Sequence, residues 1–289
     1  MAGDTERTVR RAKGSGRWFP GSRRELAAMI DGFMESADVP SVEGRIVAAV
    51  SPHAGYVYSG AVAGYVFRAI QENAAASGAP ETVVVLGLSH RGAFRGVALM
   101  DGDSLETPLG EAVLDGQAGR DLAGASSRIF FDITPHAGEH SAENQVPFVQ
   151  RALPKAKLVV GIIGDHDGKT LEELVDGLAA LAARKRILVV ASTDLLHDPD
   201  HGLVTRTDRA TLEKIVGMDR KGLEEGWSST RQTCCGICPV LAAIGFSRSQ
   251  GSDRGVLLHY RNSGDDFPES RGNWVVGYGA VVFPAGGSD

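Results

Sequence analysis

The sequence predicts a single α/β domain with a mainly parallel central sheet and helices on both of its faces. Continuous apolar runs such as TVVVLGL (82–88) and RILVVAS (186–192) are typical of strands that are covered on both sides. These runs alternate along the chain with segments of helical periodicity, which favours parallel strands joined by helices. No linker of domain-boundary character interrupts residues 17–289, and residues 1–16 are predicted to be a flexible N-terminal arm.

The individual elements follow from local patterns. A capping-box pattern, Ser22 followed by Glu25, predicts a helix over 22–34. The last two strands are predicted to pair antiparallel, since only a short loop separates them. The periodicity and the breakers predict strands over 45–51, 82–88, 95–100, 112–114, 130–133, 157–163, 186–192, 256–260 and 274–283, and further helices over 60–76, 170–183, 205–217, 219–225 and 240–246.

The composition of the chain argues against several classes of protein. The 289 residues carry 30 basic and 36 acidic side chains, a net charge of −6, whereas a nucleic-acid-binding protein would show a basic face. No apolar run approaches the roughly 18 residues of a membrane span, and the N-terminus lacks the apolar region of a signal peptide. Cysteines at 234, 235 and 238 are poor material for a disulfide framework, so we expect a cytoplasmic protein.

Polar side chains follow three of the predicted strands at the point where each strand ends. His53 and His90 each come after one strand, and Asp194 and His197 come after a third. Because the carboxyl ends of the strands line one crevice in an open α/β sheet, we expect these side chains to converge. Two imidazoles suit a divalent transition metal such as Fe, Zn, Cu or Ni. The sequence therefore predicts a metal site with His53 and His90 as ligands.

The third metal ligand is left open between a thiolate and a carboxylate. Cys235 is the best thiolate candidate, because the free amides and dipole of the helix that follows it would stabilise a thiolate. Asp194 is the best carboxylate candidate. His197 is expected to act as an acid or base, because imidazole titrates near neutrality.

The remaining polar residues have weaker links to a site. His140 and Glu143 on a polar loop, together with Tyr56, are candidates for the wall of the pocket. A single histidine is nevertheless more often a hydrogen-bonded structural residue than a ligand. Positions on exposed loops or turns explain His136, His166 and His201. A position in the core or at an interface explains His259, which lies within a predicted strand.

The Cys-x-x-C motif formed by Cys235 and Cys238 also permits thiol exchange, which would produce a reversible intramolecular disulfide. A thioredoxin-like site would place this motif after the first strand of a small βαβ unit, whereas here it falls late in a long chain. A structural zinc site would need a second such motif or a nearby H-x-x-x-H, and the sequence contains neither. Both interpretations are therefore disfavoured.

Eight segments of the chain together resemble the MEMO family, whose prokaryotic members are often called AmmeMemoRadiSam system protein B. The resemblance covers about residues 17–283. The combination of PHAGYVYSG with EHSxExQxPF is highly specific. The segments are GRWFP (16–20), SPHAGYVYSG (51–60), VVVLGLSH (83–90), LETPLGE (105–111), EHSAENQVPFVQ (139–150), STDLLH (192–197), CCGICP (234–239) and NSGDD (262–266).

The resemblance implies a fold like that of the LigB-type class III extradiol ring-cleaving dioxygenases. Those enzymes hold Fe(II) with two histidines and a glutamate and use another histidine as acid or base. MEMO-type proteins resemble them with a cysteine in place of the glutamate. Carried over to this chain, His53, His90 and Cys235 correspond to the ligands and His197 to the acid or base, with Asp194 beside it. Fe(II) is the expected metal, with Cu or Zn as alternatives.

The chain departs from the family pattern in three places. The family commonly has GPSH where Leu88 stands before the second ligand, and SSDxSH where this chain has STDLLH (192–197). Cys234 next to Cys235 leaves open which thiol faces the metal. A thiolate is softer than a carboxylate and shifts the metal preference toward Cu or Zn, so ring cleavage does not follow from the resemblance.

The leading hypothesis is a metal-dependent, oxidoreductase-type enzyme that acts on a small molecule in a dioxygenase-like crevice. The alternative is a non-catalytic protein that binds metal or a peptide partner in a vestigial site. The family name also implies an AMMECR1-like protein and a radical SAM protein as partners. Neither hypothesis involves nucleic acid or a membrane.

Overall fold

The structure is a computed structural model that describes residues 7–286. Its strands are β1 (Val9–Arg11), β2 (Arg45–Ser51), β3 (Thr82–Leu88), β4 (Val97–Leu99), β5 (Ser104–Thr107), β6 (Gly110–Val113), β7 (Ile129–Phe131), β8 (Lys157–Ile163), β9 (Ile187–Ser192), β10 (His197–Asp198), β11 (Val256–Asn262) and β12 (Val275–Ala285). Its α-helices are α1 (Arg23–Glu35), α2 (Tyr56–Ser77), α3 (Gly116–Ala125), α4 (Val146–Ala152), α5 (Gly168–Ala182), α6 (His201–Val216), α7 (Arg220–Gly226), α8 (Ile237–Ser249) and α9 (Ser263–Asp266). Short 3₁₀ helices lie at Thr134–His136, Glu143–Gln145 and Pro268–Ser270.

The main sheet has nine strands in the order β10-β12-β2-β9-β3-β8-β4-β7, with β11 also paired to β12. Its four central strands, β2, β9, β3 and β8, run parallel to one another. Strands β12 and β4 flank this centre and run antiparallel to their central neighbours, and β11 pairs antiparallel with β12 as predicted. The predicted α/β domain with a parallel centre is therefore confirmed, and the sheet as a whole is mixed.

Helices cover both faces of the main sheet, which explains the continuous apolar runs. Along β3, Val83 and Val85 belong to the core formed with α1, α2 and α4, whereas Val84 and Leu86 belong to the core formed with α3, α5 and α8. Successive strand residues point to opposite faces, so every position of a doubly covered strand must be apolar. Within residues 7–286, no helix has the length and apolarity needed to cross a membrane.

The start of α2 determines how close His53 lies to the sheet. The sequence predicted a helix from residue 60, but α2 begins at Tyr56, directly after a non-helical Gly55. The Tyr56 amide donates to the Trp18 carbonyl at 2.9 Å, a long-range contact that local periodicity does not reveal. Only residues 52–55 separate β2 from the helix, so His53 is held next to the strand end.

Part of the predicted N-terminal arm is a strand and not flexible chain. β1 pairs in parallel with β5, with Val9 opposite Ser104, and β5 pairs with β6 to complete a separate three-stranded sheet. Further along, the Gly14 amide donates to a buried Glu143 oxygen at 2.6 Å. Both contacts join segments that are far apart in the chain. The basic residues near the N-terminus, judged locally, predicted only a solvated arm. Residues 1–6 of the predicted arm lie outside the described residues.

Candidate metal centre

The carboxyl ends of the neighbouring strands β2, β9 and β3 bring the predicted site residues together. His53 follows β2, Asp194 follows β9 and His90 follows β3. The rings of His53 and His90 lie 5.3 Å apart between centroids, with their planes nearly perpendicular. Because the parallel strands end at the same edge of the sheet, the strand order places imidazoles from two distant segments side by side.

His140 completes a cluster of three histidines. Its ring stacks on His90 at 4.9 Å between centroids and meets the edge of His53 at 5.4 Å. One ligand nitrogen from each ring lies within 4.8 Å of the other two, and over residues 7–286 no other trio of histidine, cysteine or carboxylate ligands lies as close. The cluster thus shares His53 and His90 with the predicted ligand set, and its third member is His140 in place of Cys235.

Hydrogen bonds determine which nitrogen of His53 carries the proton. Its Nδ1 lies 3.1 Å from Ser192 Oγ, and that hydroxyl donates its own proton to the Ser141 carbonyl. Ser192 can therefore only accept from His53, so Nδ1 is protonated and Nε2 keeps its electron pair for a metal. Burial, followed by the charges on His90 and His140, lowers the pKa of His53 well below 6.5, which keeps the ring neutral.

His90 is oriented by Glu139, a carboxylate whose side chain is fully buried. Glu139 Oε1 lies 2.9 Å from His90 Nδ1, and Oε2 accepts from the His90 amide at 2.7 Å. Burial opposes ionisation of Glu139, but the hydrogen bond and charge of His90 and the amide donors outweigh it and hold the pKa of the carboxyl well below 4.5. The ionised carboxylate therefore accepts a hydrogen bond from His90 Nδ1 and leaves Nε2 free to bind a metal, as partners of metal-binding histidines commonly do.

His140 is sandwiched between His90 and Trp18. The Trp18 ring stacks on His140 at 3.8 Å, with an angle of 3° between the planes. Burial lowers the pKa of His140 to about 4, and the charges of His90, Arg17 and Arg91 act in the same direction against the attraction of Glu139. His140 is therefore also neutral near pH 7 and available as a ligand.

The segment that carries Glu139 and His140 docks directly on β3. Ser141 Oγ donates to the Leu88 carbonyl at 2.7 Å and lies 3.1 Å from the Leu88 amide. Gly87 makes this approach possible, because a Cβ at this position would lie 2.4 Å from Ser141 Oγ and 2.7 Å from the Ala142 nitrogen. A single methyl group at 87 would push the third histidine away from the first two.

Gly87→Ala is accordingly expected to lower the free energy of unfolding by about 1–3 kcal/mol through overpacking. Urea denaturation of the metal-free protein measures this change. Gly32→Ala on α1 is the matched control, because a Cβ there meets nothing within 4 Å. Equal stability of Gly87→Ala and the wild type would show that the segment is not held against β3 in this way.

Cys235 lies beside the cluster and contacts His53. Its Sγ is 3.3 Å from His53 Nε2 and accepts from the Asp194 amide at 3.3 Å. Burial, followed by the Asp194 carboxyl, raises the pKa of the Cys235 thiol, so the protonated thiol donates toward His53. Helix α8 begins at Ile237, two residues after Cys235, but among the described residues the amide that donates to Sγ belongs to Asp194 and not to this helix. Cys234 is fully buried in the core, so the thiol that contacts the cluster belongs to Cys235.

Asp194 holds the loop that carries His53. Within residues 7–286, it forms no hydrogen bond with His197. Its Oδ1 accepts from the amides of His53 at 2.7 Å and Ala54 at 3.2 Å. Burial raises the pKa of the carboxyl to about 7, against the effect of these two hydrogen bonds. The Asp194 carboxyl thus holds the backbone of His53, one of the three histidines of the cluster.

His197 lines a cavity of about 620 Å³ next to Cys235. Trp274 and the loop over 229–233 form other walls of this cavity, and the Trp274 ring meets the His197 ring edge-on at 5.8 Å. Burial, followed by the charge on His90, lowers the pKa of His197 to about 4. Its Nε2 is buried and has no hydrogen-bond partner in the described part of the chain.

The polar atoms of Tyr56 and Glu143 form hydrogen bonds with backbone groups. The buried Tyr56 hydroxyl donates to the Asn144 carbonyl at 2.7 Å, and Glu143 accepts from the Gly14 amide at 2.6 Å. Their polar atoms thus fasten neighbouring segments to each other. The sequence indicated their proximity to the site, because each lies in a motif that also contains a histidine of the cluster, but it did not indicate the direction of the side chains.

Three site residues were missed by the sequence reasoning. Glu139 orients His90, Ser192 fixes the protonation of His53, and Trp18 stacks on His140. Glu139 and Ser192 each lie within a segment that was singled out, and a search for carboxylate or hydroxyl partners of the histidines would have found them. Trp18 gave no such signal, because stacking between distant residues has no local pattern.

Comparison with known proteins gives consistent results. The family model for Memo-like proteins matches residues 10–282. A MEMO1 family protein of Methanopyrus kandleri is 33% identical over 285 residues, covering 94% of this chain and 98% of the relative. One from Nitrosopumilus maritimus is 32% identical over 281 residues, covering 95% and 99%. An uncharacterized protein from Escherichia coli K12 of known structure has a TM-score of 0.50 at 14% identity, covering 82% of this chain and 99% of that one, so this likeness concerns the fold.

The fold and the site together define an α/β protein with three converging histidines, suited to a metal ion, at the carboxyl edge of a mixed sheet. The family model spans nearly the whole chain, and relatives above 30% identity match almost end to end. This chain belongs to the MEMO family. The resemblance predicted from the sequence motifs is therefore confirmed.

Proposed function

We propose that this protein is a metal-dependent enzyme of the oxidoreductase type that acts on a small molecule. The observation that carries the proposal is the cluster of His53, His90 and His140, with ligand nitrogens within 4.8 Å of one another. Hydrogen bonds direct the free electron pairs of the first two rings away from Ser192 and Glu139. Neutral, oriented imidazoles are the form that binds transition metals.

We place four side chains around the metal. His53, His90 and His140 supply nitrogen, and Cys235 supplies sulfur. The 3.3 Å between Cys235 Sγ and His53 Nε2 fits the separation of about 3.1–3.6 Å that follows from ordinary metal–sulfur and metal–nitrogen bonds. Fe(II) is the first candidate, with Cu or Zn as alternatives, because imidazole accepts all three and the thiolate favours the softer ions. When bound, the metal supplies Lewis acidity and, in the case of iron or copper, one-electron chemistry.

The residues around the cluster supply binding space and a proton carrier. The cavity of about 620 Å³ beside Cys235 lies in the size range of small-molecule sites. His197 in its wall is neutral near pH 7 and can receive a proton from a bound substrate, although a pKa of about 4 makes the ring a weak base. Asp194 acts indirectly, since its carboxyl holds the amide of His53.

Metal loading of the purified protein tests the proposal. Protein prepared without oxygen and supplied with Fe(II), Zn or Cu is expected to retain one ion per chain after gel filtration, measured by elemental analysis. Failure to retain any of the three ions would overturn the proposed metal site. Retention of metal without turnover of any small molecule would favour the binding function described below.

Two variants separate the contributions of the third and fourth ligands. His140→Ala is expected to lower metal affinity by more than Cys235→Ser, because the His140 nitrogen is part of the close trio. Cys235→Ser is expected to change the preference among metals, since it replaces a soft sulfur by a hard oxygen. Competition titrations with Zn and Cu measure both effects. Loss of metal in Cys235→Ser but not in His140→Ala would show that Cys235 contributes more to metal affinity than His140 does.

The alternative function is a non-catalytic protein that binds a peptide or protein partner at the same site. Exposed apolar side chains at the start of α2, directly after the loop of His53, favour this alternative: Val57 is 67% exposed and Tyr58 is 50% exposed. Under this proposal, an AMMECR1-like or radical SAM protein would bind equally well with and without chelator. Val57→Ser with Tyr58→Ser would weaken that binding and leave metal content unchanged.

A further inference from the structure

Asp208 is a buried carboxylate outside the metal cluster, and it contacts the segment that carries His197. It lies on α6 with no exposed surface. Its Oδ1 accepts from the Leu196 amide at 3.0 Å, and its Oδ2 accepts from the Tyr260 hydroxyl at 2.9 Å. The Tyr260 oxygen accepts in turn from Asn262 Nδ2 at 3.2 Å. Both carboxylate oxygens therefore have a donor, although the group lies in the protein interior.

The Leu196 amide depends on this carboxylate. The two neighbouring backbone groups are already hydrogen-bonded to strand β12. The Leu195 amide donates to the Gly277 carbonyl at 2.8 Å, and the Leu196 carbonyl accepts from the Gly277 amide at 3.1 Å. The remaining amide faces α6, where Asp208 supplies the acceptor.

The Asp208 carboxylate packs closely against the backbone of β12 at Gly277. A Cβ at Gly277 would lie 1.8 Å from Asp208 Oδ2 and 2.5 Å from its Cγ. The carboxylate thus rests directly on the backbone of β12, and Tyr260 from β11 closes the other side. A group held in this way transmits its position to the amide that it binds.

We propose that Asp208 is a positioning residue that fixes Leu196 and thereby sets the place of His197 in the cavity beside Cys235. Leu196 and His197 both line this cavity. The same segment begins at Asp194, whose amide donates to Cys235 Sγ. Asp208 acts through this segment and has no hydrogen bond to the cluster within residues 7–286. The inference concerns the geometry of the site and does not depend on which reaction, if any, the site carries out.

Hydrogen exchange and histidine NMR test this role. Asp208→Ala is expected to speed exchange of the Leu196 amide at least about tenfold, the factor that corresponds to loss of one such hydrogen bond. It is also expected to shift the ring signals of His197, which are assigned by their absence in His197→Gln. Asp208→Asn keeps an oxygen acceptor for Leu196 and is expected to leave the ring signals in place. Metal content should be unchanged in both variants.

The ring signal distinguishes positioning from a merely structural role. A group that only stabilises the fold would change the unfolding midpoint without moving the His197 signal of the folded state. An unmoved signal in folded Asp208→Ala would overturn the proposal, as would an equal shift in Asp208→Asn. Asp208→Ser, whose hydroxyl is too short to reach Leu196, replaces the alanine variant if that one does not fold. Exchange of the wild-type Leu196 amide at the rate of an unprotected amide would overturn the proposal without any variant.

Discussion

Replacement of His90 by alanine is expected to remove the bound metal. The wild type should carry one ion per chain after anaerobic loading, and His90→Ala less than about a tenth of an ion, because the remaining ligands no longer enclose the site. Elemental analysis after gel filtration measures the content. His259→Ala is the matched control, since His259 stacks on Tyr65 with ring centroids 4.1 Å apart and is not part of the cluster. A full complement of metal in His90→Ala would refute the assignment of this ligand.

Glu139→Gln is expected to weaken metal binding without abolishing it. Glutamine keeps an oxygen that can accept from His90 Nδ1, but it removes the charge that raises the basicity of the ring. Loss of such a carboxylate partner weakens metal binding by about 10- to 100-fold. A chelator competition titration measures the Kd. A wild-type Kd would contradict the proposed role, and loss as complete as in His90→Ala would mean that Glu139 chiefly holds its own segment in place.

The stability of the metal-free protein is expected to fall on acidification, and His197 should contribute a measurable part of this fall. The pKa of His197 is lowered from 6.5 to about 4 in the folded state, so the unfolded chain binds this proton first. The stability that this neutral histidine contributes is complete above pH 6.5 and is lost as the pH falls toward 4. The shift corresponds to about 3 kcal/mol.

The comparison of His197→Gln with the wild type isolates this contribution. Two buried aspartates act in the opposite direction, because burial raises the pKa values of Asp194 and Asp208 to about 7 and their neutral forms gain stability as the pH falls. Their effect cancels in the difference between the variant and the wild type. Urea unfolding at pH 6.5, 5.5 and 4.5 should show a smaller loss of stability in His197→Gln. The interval from pH 7 to 8 is the internal control, where the two proteins should run parallel, and parallel curves below pH 6 would contradict the prediction.

Local patterns predicted the frame of the molecule well. The runs over 45–51, 82–88 and 157–163 form strands with the same bounds in the structure, because an uninterrupted apolar run in a doubly covered sheet has few alternatives. The convergence of His53 and His90 also followed from local information, since each is tied by covalent geometry to the end of its strand. Topology then placed the two strand ends near each other.

Contacts between distant segments were less accessible to sequence reasoning. β1 pairs with a strand whose residues lie far along the chain, and α2 begins early because its first amide meets Trp18. Tyr56 and Glu143 lie in motifs that were correctly associated with the site region, but their polar atoms point to backbone groups. Side-chain direction depends on the complete packing environment, which a motif does not encode.

The sequence by itself determined the family, the parallel centre of the sheet and the two histidines at its carboxyl edge. These features rest on local hydrophobic periodicity and on motifs, which are properties of contiguous residues. Only the tertiary structure decided that His140 joins the two histidines, that Glu139 and Ser192 orient them, and that Cys235 meets His53 as a buried thiol. The reason is physical: these choices depend on distances, burial and proton positions, which exist only once separate segments have packed against one another.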